Sequence, residues 1–384
     1  MSGQKAVAYS PLVRVQFSQP LARHWLHPSL TPTIPGAWVR IGRSTLEFRP
    51  AANFVPNSKV TLLIPGGTDG VRDYADVALA APYRASFTIA GASVLRLQQL
   101  LAELGYLPLD FVGSTAKAPP SPGDTIAPAT PVPPRIASSN SAGAAVIGAL
   151  STSSSNAAGA ASASPSPLAR RASQAPAAVT LDGEATQPNA IGLTSEQGSF
   201  SWRYPNIPSS LAAIWQPGLD TVVVRGAVMA FESAHGLPPD GDAGPQVWGA
   251  LLGAVAHRQV SNSSYDYVEV TTASRETLHV WQDGKIIYQT LANTGIAEAA
   301  TAPGTFPVYV RYASTTMSGY NPNGSYYDDP GVPYVAYFNG GDAVHGFLRA
   351  QYGYPQSLGC VELPYANAAV VFNYDPIGTL VNVA

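Results

Sequence analysis

The sequence of 384 residues contains a single cysteine, Cys360, and few charged residues. One cysteine excludes an intramolecular disulfide and is far too few for a structural zinc site. Charged residues make up 12% of the chain, about half of the usual share, and the net charge is −3. Since the chain also has no long basic run, we do not expect nucleic acid or an anionic membrane surface as a partner.

The sequence also lacks a stretch of about twenty apolar residues, so it predicts no transmembrane helix. The first residues, Met1 to Lys5, are not followed by the apolar core of a signal peptide. Either the sequence starts downstream of a signal, or export uses a feature that is not visible. The scarcity of cysteine is compatible with either side of the membrane.

Glycine and proline are abundant, with 35 of each, and part of this excess falls in one segment. Residues 113–197 consist largely of Pro, Ser, Ala, Thr and Gly, and apolar residues larger than Ala are sparse. Such a composition cannot bury a core. We therefore predict a multidomain protein with a long disordered insertion at 113–197.

Residues 6–91 predict an all-β sandwich, because short alternating strands recur about every ten residues. The order of these strands resembles that of bacterial Ig-like domains of envelope proteins. His24 and His27 lie three residues apart in this region. A metal site there is the weaker alternative to two loop histidines.

Three helices are predicted around the insertion. Residues 92–112 contain the first, with Ser93 as its expected N-cap and with Leu97, Leu100, Leu101 and Leu104 at helical spacing. Residues 198–257 contain the others. The segment with the second and third helices, from Ala227 through Asp240-Gly241 to Trp248, resembles the corresponding part of a peptidoglycan-binding three-helix module. The resemblance leaves open whether this module binds glycan strands or only acts as a spacer.

Residues 262–384 predict a compact β-rich domain. Asp283-Gly284 between two apolar strands indicates a hairpin, and further strands are predicted at 306–312 and 332–338. His279 is interpreted as structural. Asp328 and Asp329 are adjacent carboxylates, but no further ligand types gather around them, so neither a metal nor another cofactor is predicted.

Within this domain, Cys360 follows His345 by fifteen residues. A lone Cys with a nearby His is a candidate nucleophile with its base. Gly359 lets the backbone adopt conformations closed to other residues, and the N–H groups of Leu358, Gly359 and Cys360 could form an oxyanion hole. The alternative is that Cys360 is a small buried apolar residue.

The pattern His345-Gly346, a gap, then Ser357-x-Gly359-Cys360-Val resembles the signature of the L,D-transpeptidase (YkuD) family. The sequence departs from this signature twice. It has Leu358 where the family usually has His, and Glu362 where the family usually has Arg or Asn. By this resemblance Cys360 is the nucleophile, and His345 is the base, oriented near Gly346. Other positions predicted to contact substrate are Ser357, Arg311, Tyr334 and Asn339.

The resemblance implies an extracytoplasmic enzyme that forms 3→3 cross-links between peptidoglycan stem peptides through a cysteine thioester. Carbapenem-type β-lactams would be inhibitors. The alternatives are an L,D-carboxypeptidase, with water as acceptor, and a cell-wall-binding protein whose catalytic domain has decayed. A papain-type peptidase is disfavoured because no histidine follows Cys360.

Overall fold

The computed structural model describes residues 11–23, 26–114, 176–184 and 192–384. His24 and most of the predicted insertion lie outside these residues. The chain divides into two units, one of Met1–Gly91 with Ala118–Ile191 and one of Ala92–Lys117 with Gly192–Ala384. Within the described ranges, no helix has the length and apolar character needed to cross a membrane.

The strands of the described residues, in chain order, are β1 Pro11–Gln16, β2 Ser29–Thr31, β3 Gly36–Arg40, β4 Thr45–Pro50, β5 Lys59–Ile64, β6 Tyr83–Thr88, β7 Leu109–Gly113, β8 Ala178–Glu184, β9 Gly198–Trp202, β10 Asp266–Thr271, β11 Thr277–Gln282, β12 Lys285–Leu291, β13 Gly304–Pro307, β14 Val310–Tyr320, β15 Tyr326–Asn339, β16 Asp342–Gly346, β17 Val361–Leu363 and β18 Leu380–Val383. The helices are α1 Val94–Glu103, α2 Ser209–Ala213, α3 Val222–Ala234, α4 Pro245–Ala256 and α5 Tyr365–Val371, with a 3₁₀ turn at Ala297–Ala299.

The first unit consists of two sheets, ordered β3-β4-β1-β8 and β2-β5-β6, around one apolar core. Alternation explains the packing, since Val13 and Val15 of β1 are fully buried while Arg14 between them is partly exposed. Phe48, Phe54 and Phe87 fill the core with edge and tilted ring contacts. An all-β N-terminal region was predicted correctly, and its assignment to the Ig-like domains stays a prediction.

The prediction that all of 113–197 lacks structure is wrong at β8. This strand pairs antiparallel with β1, matching Val15 with Val179 and Gln16 with Ala178. Val179 joins the buried core and Leu181 packs against it. The physical reason is that a short alternating pair of apolar residues is enough to complete a sheet whose other strands already exist.

The helical part of the second unit packs α1 against α3 and α4. Ser93 caps α1 as predicted, its Oγ accepting from the Arg96 N–H at 3.1 Å. Gln98 is fully buried, and its amide contacts the Gly218 N–H and the carbonyls of Gln216 and Leu219. These contacts hold α1 to the segment before α3 across the whole length of the intervening chain.

The C-terminal part of the second unit, from β10 onward, has two sheets, β12-β11-β10-β18-β13 and β14-β15-β16-β17. The two sheets enclose an apolar core, and α5 packs against β15, β16 and β17. The core contains Val268, Val280, Phe338, Val344, Val361, Val371 and Val381 among others. The predicted Asp283-Gly284 hairpin is confirmed between β11 and β12. The outer face of the second sheet carries a smaller apolar cluster, and that face holds the site.

The predicted strands at 306–312 and 332–338 are too short and partly misassigned. Residues 304–307 and 310–320 form two strands in different sheets, β13 and β14. β14 and β15 form a long hairpin that reaches Tyr320 and Tyr326. The Gly, Pro, Asn and Asp residues of this hairpin resemble a loop by composition, and its register shifts between Thr315 and Met317.

Candidate active site

Cys360 lies directly before β17, beside the parallel strand β16 that carries His345. The register pairs His345 with Glu362, which places Cys360 level with Ala343. Residues two apart on a strand point to the same face of a sheet. Cys360 packs with Ala343 and Val335 on the outer face, so the sheet brings the predicted nucleophile and base to one face.

The turn before Cys360 is held by Ser357. Its Oγ donates to the Cys360 carbonyl at 2.5 Å and accepts from the Gly359 N–H at 3.2 Å. Gly359 has φ +116°, and a Cβ there would collide with the Asp342 carboxylate. The predicted need for glycine at this position is confirmed.

These contacts correct two site predictions. Ser357 is 1% exposed and its hydroxyl is used within the turn, so it shapes the loop rather than contacting substrate. The Gly359 N–H is bonded to Ser357, which leaves the N–H groups of Leu358 and Cys360 as the remaining members of the predicted oxyanion hole.

The Cys360 side chain is half-buried, and its thiol donates to the Gly341 carbonyl at 3.7 Å. Burial raises the pKa of Cys360 to about 12. The Ala343 N–H lowers this pKa, whereas the nearby carboxylates of Asp342 and Glu362 raise it. The resting thiol is therefore protonated at neutral pH and requires a base to react.

His345 is 2% exposed, and its Nδ1 lies 3.0 Å from the Gly346 carbonyl. A carbonyl only accepts, so Nδ1 carries the proton and Nε2 is left as the basic nitrogen. Burial lowers the pKa of His345, opposed by the Gly346 carbonyl and by Glu362. Phe347 packs edge-on against the imidazole at 5.9 Å, so the neutral ring is held in one orientation.

Glu362 is 5% exposed and makes a bidentate ion pair with Arg349, with contacts of 2.7 and 2.6 Å. Arg349 also lies over the Phe347 ring and donates to the Gln356 carbonyl. The carboxylate at position 362 therefore has its own cation, which ties the loop at 347–356 to β17. Sequence reasoning missed this pair, because nothing in the spacing links the two residues.

Two of the predicted substrate contacts face away from Cys360. Tyr334 packs on the inner core and against Phe372. Arg311 lies over the Phe372 ring, donates to its carbonyl and contacts Asp375 at 3.3 Å. Both predictions are corrected, since the parity of β14 and β15 points these side chains toward α5.

Asn339 lies at the turn between β15 and β16, and its amide donates to Asp342 at 3.4 Å. Asp342 in turn contacts the position of Gly359. Of the side chains predicted to bind substrate, Asn339 is therefore the one that stands next to the Cys360 loop.

The outer face holds aromatic and thioether side chains that the sequence analysis did not select. Met317, Tyr337 and Phe347 pack with Cys360. Burial raises the pKa of Tyr327 and of Tyr337, and Cys360 contributes to both. Tyr337 lies three positions after the predicted Tyr334, and residues an odd number of positions apart on a strand point to opposite faces. A correct assignment of the outward-facing positions of β15 would therefore have selected Tyr337.

Residues 293–295, which precede the 3₁₀ turn, pair with residues on either side of Cys360. Asn293 pairs with Glu362, and Gly295 pairs with Ser357. The Thr294 N–H and hydroxyl both donate to the buried Glu276, at 2.5 and 2.6 Å. Asn293 and Thr294 are buried, and they fix the backbone next to the Cys360 turn.

Across the described part of the chain, no group of three or more His, Cys, Asp or Glu side chains is arranged to hold a metal ion. The candidate site instead combines the thiol of Cys360, the imidazole of His345 and the phenols of Tyr327 and Tyr337. Such a set suits acyl transfer through a covalent intermediate.

Comparison with known proteins adds two family matches. Residues 265–383 match YkuD, the L,D-transpeptidase catalytic domain, and residues 218–251 match PG_binding_1, a peptidoglycan binding domain. A search of curated proteins gave no match.

Several solved structures are similar to this chain. The catalytic domain of an E. faecium L,D-transpeptidase is 25% identical and covers 32% of this chain and 100% of that domain, with a TM-score of 0.29; one of its structures is acylated by ertapenem. An L,D-transpeptidase from Stackebrandtia nassauensis is 25% identical over 46% of this chain and 86% of that one, with a TM-score of 0.26.

An L,D-transpeptidase from Mycobacterium smegmatis is 10% identical over 100% of this chain and 96% of that one, with a TM-score of 0.28. The YkuD match at residues 265–383 contains the motif around Cys360. The chain therefore carries a YkuD L,D-transpeptidase catalytic domain at residues 265–383 and a peptidoglycan binding domain at residues 218–251.

Proposed function

We propose that this protein is an extracytoplasmic peptidoglycan L,D-transpeptidase that uses Cys360 as its nucleophile and His345 as its base. The observation that carries the proposal is the shared sheet face of Cys360 and His345, with Nδ1 of the imidazole oriented by Gly346. The family match over the same residues supports the class of reaction.

In the proposed reaction the thiol leaves the Gly341 carbonyl and gives its proton to Nε2 of His345. Sulfur then attacks the carbonyl carbon of the third stem residue, and the N–H groups of Leu358 and Cys360 stabilise the oxyanion. The C–N bond to the terminal residue breaks, its nitrogen takes the proton from His345, and a thioester remains.

A side-chain amine of a second stem peptide then attacks the thioester. Nε2 of His345 accepts the proton of the attacking amine, and the C–S bond breaks. The new amide bond is a 3→3 cross-link, and the thiolate recovers a proton. Water in place of the amine would give the carboxypeptidase reaction, which shares every residue up to the thioester.

The ion pair of Glu362 with Arg349 supports an active domain over a decayed one. Because Arg349 neutralises Glu362 through two contacts, the departure at position 362 leaves no uncompensated carboxylate beside the nucleophile and is no longer an argument for a decayed site. This chain has Glu362 where the family often has a cation, and Arg349 supplies a cation beside it.

The test is acylation by a carbapenem, followed as a mass shift of the intact protein. We expect one adduct on the wild type and none on Cys360→Ala, since the chain has no second thiol. His345→Ala should slow acylation by about 10²–10⁴, the usual contribution of a general base. An adduct that persists in Cys360→Ala would remove the assignment. Incubation with stem tetrapeptides then separates dimer formation from hydrolysis.

A further inference from the structure

The N-terminal unit contains a cavity of about 840 Å³ at the turn that joins β3 to β4. Gly42 and Arg43 of that turn line it, together with residues of the segment 19–23 and of the loop 73–75. All of these residues belong to the first unit, so the cavity is not part of the unit that contains Cys360. Its volume lies within the range of small-molecule sites, roughly 300–1,000 Å³.

Arg40, at the end of β3, holds two walls of this cavity together. Its guanidinium donates to the carbonyls of Leu21 and Ala22 in the first wall. It also donates to the carbonyls of Gly42 at 3.1 Å and Arg43 at 2.8 Å in the second. Carbonyl groups accept hydrogen bonds but carry no net charge, so Arg40 keeps its positive charge. The two walls are therefore preorganised around a cation.

Tyr74 presents an aromatic ring at the cavity from a backbone that is fixed on both sides. Its N–H donates to the Pro20 carbonyl at 2.8 Å. The Oδ1 of Asp73 accepts from the N–H groups of Ala75 and Val77 at 2.8 and 2.9 Å. The Tyr74 side chain is nevertheless 80% exposed. An apolar or planar part of a ligand can therefore pack on this ring without displacing it from a core.

The charges of the lining indicate the chemical class of the ligand. The cavity is lined by three guanidinium groups, those of Arg23, Arg40 and Arg43, and by the carboxylate of Asp73. Arg23 and Arg43 are exposed, and among the described residues neither side chain has an ion-pair or hydrogen-bond partner. Two positive charges of the lining are thus uncompensated, and two guanidinium groups are free to donate.

A phosphate monoester matches these charges. It carries about −1.5 to −2 charges at neutral pH, and its oxygens accept paired hydrogen bonds from guanidinium groups. A carboxylate carries a single charge and would leave one cation of the lining uncompensated. A cavity of about 840 Å³ is also larger than a bare phosphate ion needs, so the ester has room for an organic group.

We propose that this cavity binds the phosphate monoester of an organic molecule, with the phosphate on Arg23 and Arg43 and the organic group against Tyr74. The site is independent of the acyl transfer proposed above. A soluble phosphate ester and the headgroup of an anionic lipid both offer this chemistry. The chain has no long basic run, which favours the soluble ester over a membrane surface.

The test is titration of the full chain with phenyl phosphate at neutral pH and low ionic strength, followed by calorimetry. We expect saturable binding by the wild type. The double variant Arg23→Gln with Arg43→Gln should weaken it by about tenfold or more, because it removes charge-assisted hydrogen bonds. Arg84→Gln removes an exposed charge of β6 outside the cavity and should bind as the wild type does. Thermal unfolding of the double variant should be unchanged, since both side chains are exposed.

Three comparisons separate the two parts of the site. Tyr74→Ala should weaken the binding of phenyl phosphate and leave that of inorganic phosphate unchanged. Benzoate has the same ring with one charge and should bind less tightly than phenyl phosphate. The affinity for phenyl phosphate should fall as the pH drops below about 6, where the ester takes up a proton.

Cosedimentation with phosphatidylcholine vesicles, with and without phosphatidic acid, distinguishes the two sources of the ester. Sedimentation of the wild type, but not of the double variant, with the phosphatidic acid vesicles alone would assign the site to a lipid headgroup. Binding of phenyl phosphate without sedimentation would assign it to a soluble ester. Absence of both kinds of binding, or equal affinity of the wild type and the double variant, would overturn the site. Benzoate binding as tight as that of phenyl phosphate would overturn the assignment to a phosphate.

Discussion

We expect the side chain at position 358 to set part of the environment in which the thiol must ionise. Leu358 is half-buried and apolar, and burial raises the pKa of Cys360 to about 12. Burial lowers the pKa of His345, so the imidazole is already neutral within its ordinary titration range and can accept the proton of the thiol. The thiolate fraction then grows about tenfold per pH unit until the thiol titrates.

Replacing Leu358 with His should shift the acylation profile to lower pH, because a polar and partly cationic neighbour favours the thiolate. For the wild type we expect the carbapenem acylation rate to keep rising through the alkaline range. Leu358→Asn is the control that adds polarity without a titrating group. Superimposable pH profiles of the wild type and Leu358→His would show that this position does not tune the thiol.

Arg311 is the second residue whose role can be separated by experiment. It contacts Asp375, a 1% exposed carboxylate whose pKa is raised well above its usual range by burial, with Arg311 acting to lower it. A carboxyl pKa that is higher in the folded state makes stability fall as pH rises above the unfolded value. Loss of the arginine raises the folded pKa further, so its cost grows with pH.

Arg311→Ala should therefore lower the free energy of unfolding by about 1–3 kcal/mol at neutral pH, and by less at pH 5. Denaturant unfolding at the two pH values measures this, with the exposed Arg275→Ala as control. A variant of unchanged stability with a raised KM for stem peptide would instead restore the substrate contact that the sequence predicted.

At the scale of elements, the Arg349–Glu362 ion pair joins the loop of residues 347–356 to β17, together with the backbone hydrogen bond from the Phe347 N–H to the Leu363 carbonyl. Arg349→Ala leaves Glu362 buried without its cation, and Arg349 is 31% exposed, so we expect a loss of about 1–3 kcal/mol. The loop should exchange its amide hydrogens faster and the acylation rate should fall. Hydrogen exchange of 347–356 and the adduct rate are the measurements.

The double variant Arg349→Glu with Glu362→Arg is the sharper comparison. It keeps both charges in reversed positions and places the family's usual cation at position 362. Recovery of acylation above the level of either single variant is expected if the pair acts through its attraction. Equal damage in all three variants would mean that the position of each charge matters more than the pair.

Structural features that depend on a few neighbouring residues were predicted correctly from the sequence. Features that depend on residues far apart in the chain, such as strand register and strand pairing, were not. Ser93, the Asp283-Gly284 turn and Gly359 each carry a local backbone requirement, and all three were correct. The face of Tyr334 depends on strand register, which the shift between Thr315 and Met317 makes hard to extrapolate. The pairing of β8 with β1 joins residues far apart in the sequence, and no local pattern encodes such a pairing.

At the scale of the whole molecule, the helical module meets the catalytic domain through two glycines. A Cβ on Gly226 of α3 would lie 2.6 Å from the Gly378 carbonyl, and a Cβ on Gly378 would collide with the Gly226 carbonyl. Backbone atoms cannot move aside as a flexible side chain can. The close approach therefore fixes how α3 sits beside β18.

Gly226→Ala should destabilise the protein by about 1–3 kcal/mol, because overpacking outweighs the better helix propensity of alanine. Gly253→Ala on α4 is the matched control, since nothing lies within 4 Å of its Cβ position. It should gain roughly 0.5–1 kcal/mol. Thermal unfolding measures the change in stability of each variant. A stabilised Gly226→Ala would show that the backbone around Gly378 shifts to accommodate the added methyl group.

The return of the chain at β8 makes the two units alternate along the polypeptide. Each unit is assembled from two separate stretches, so no single cut in the gene releases either one whole. A fragment ending at residue 91 would leave β1 as an open sheet edge, a template for aggregation. A fragment starting at residue 198 would lack α1 and the leucines it buries. Exchanging either unit with another protein accordingly demands two crossover points.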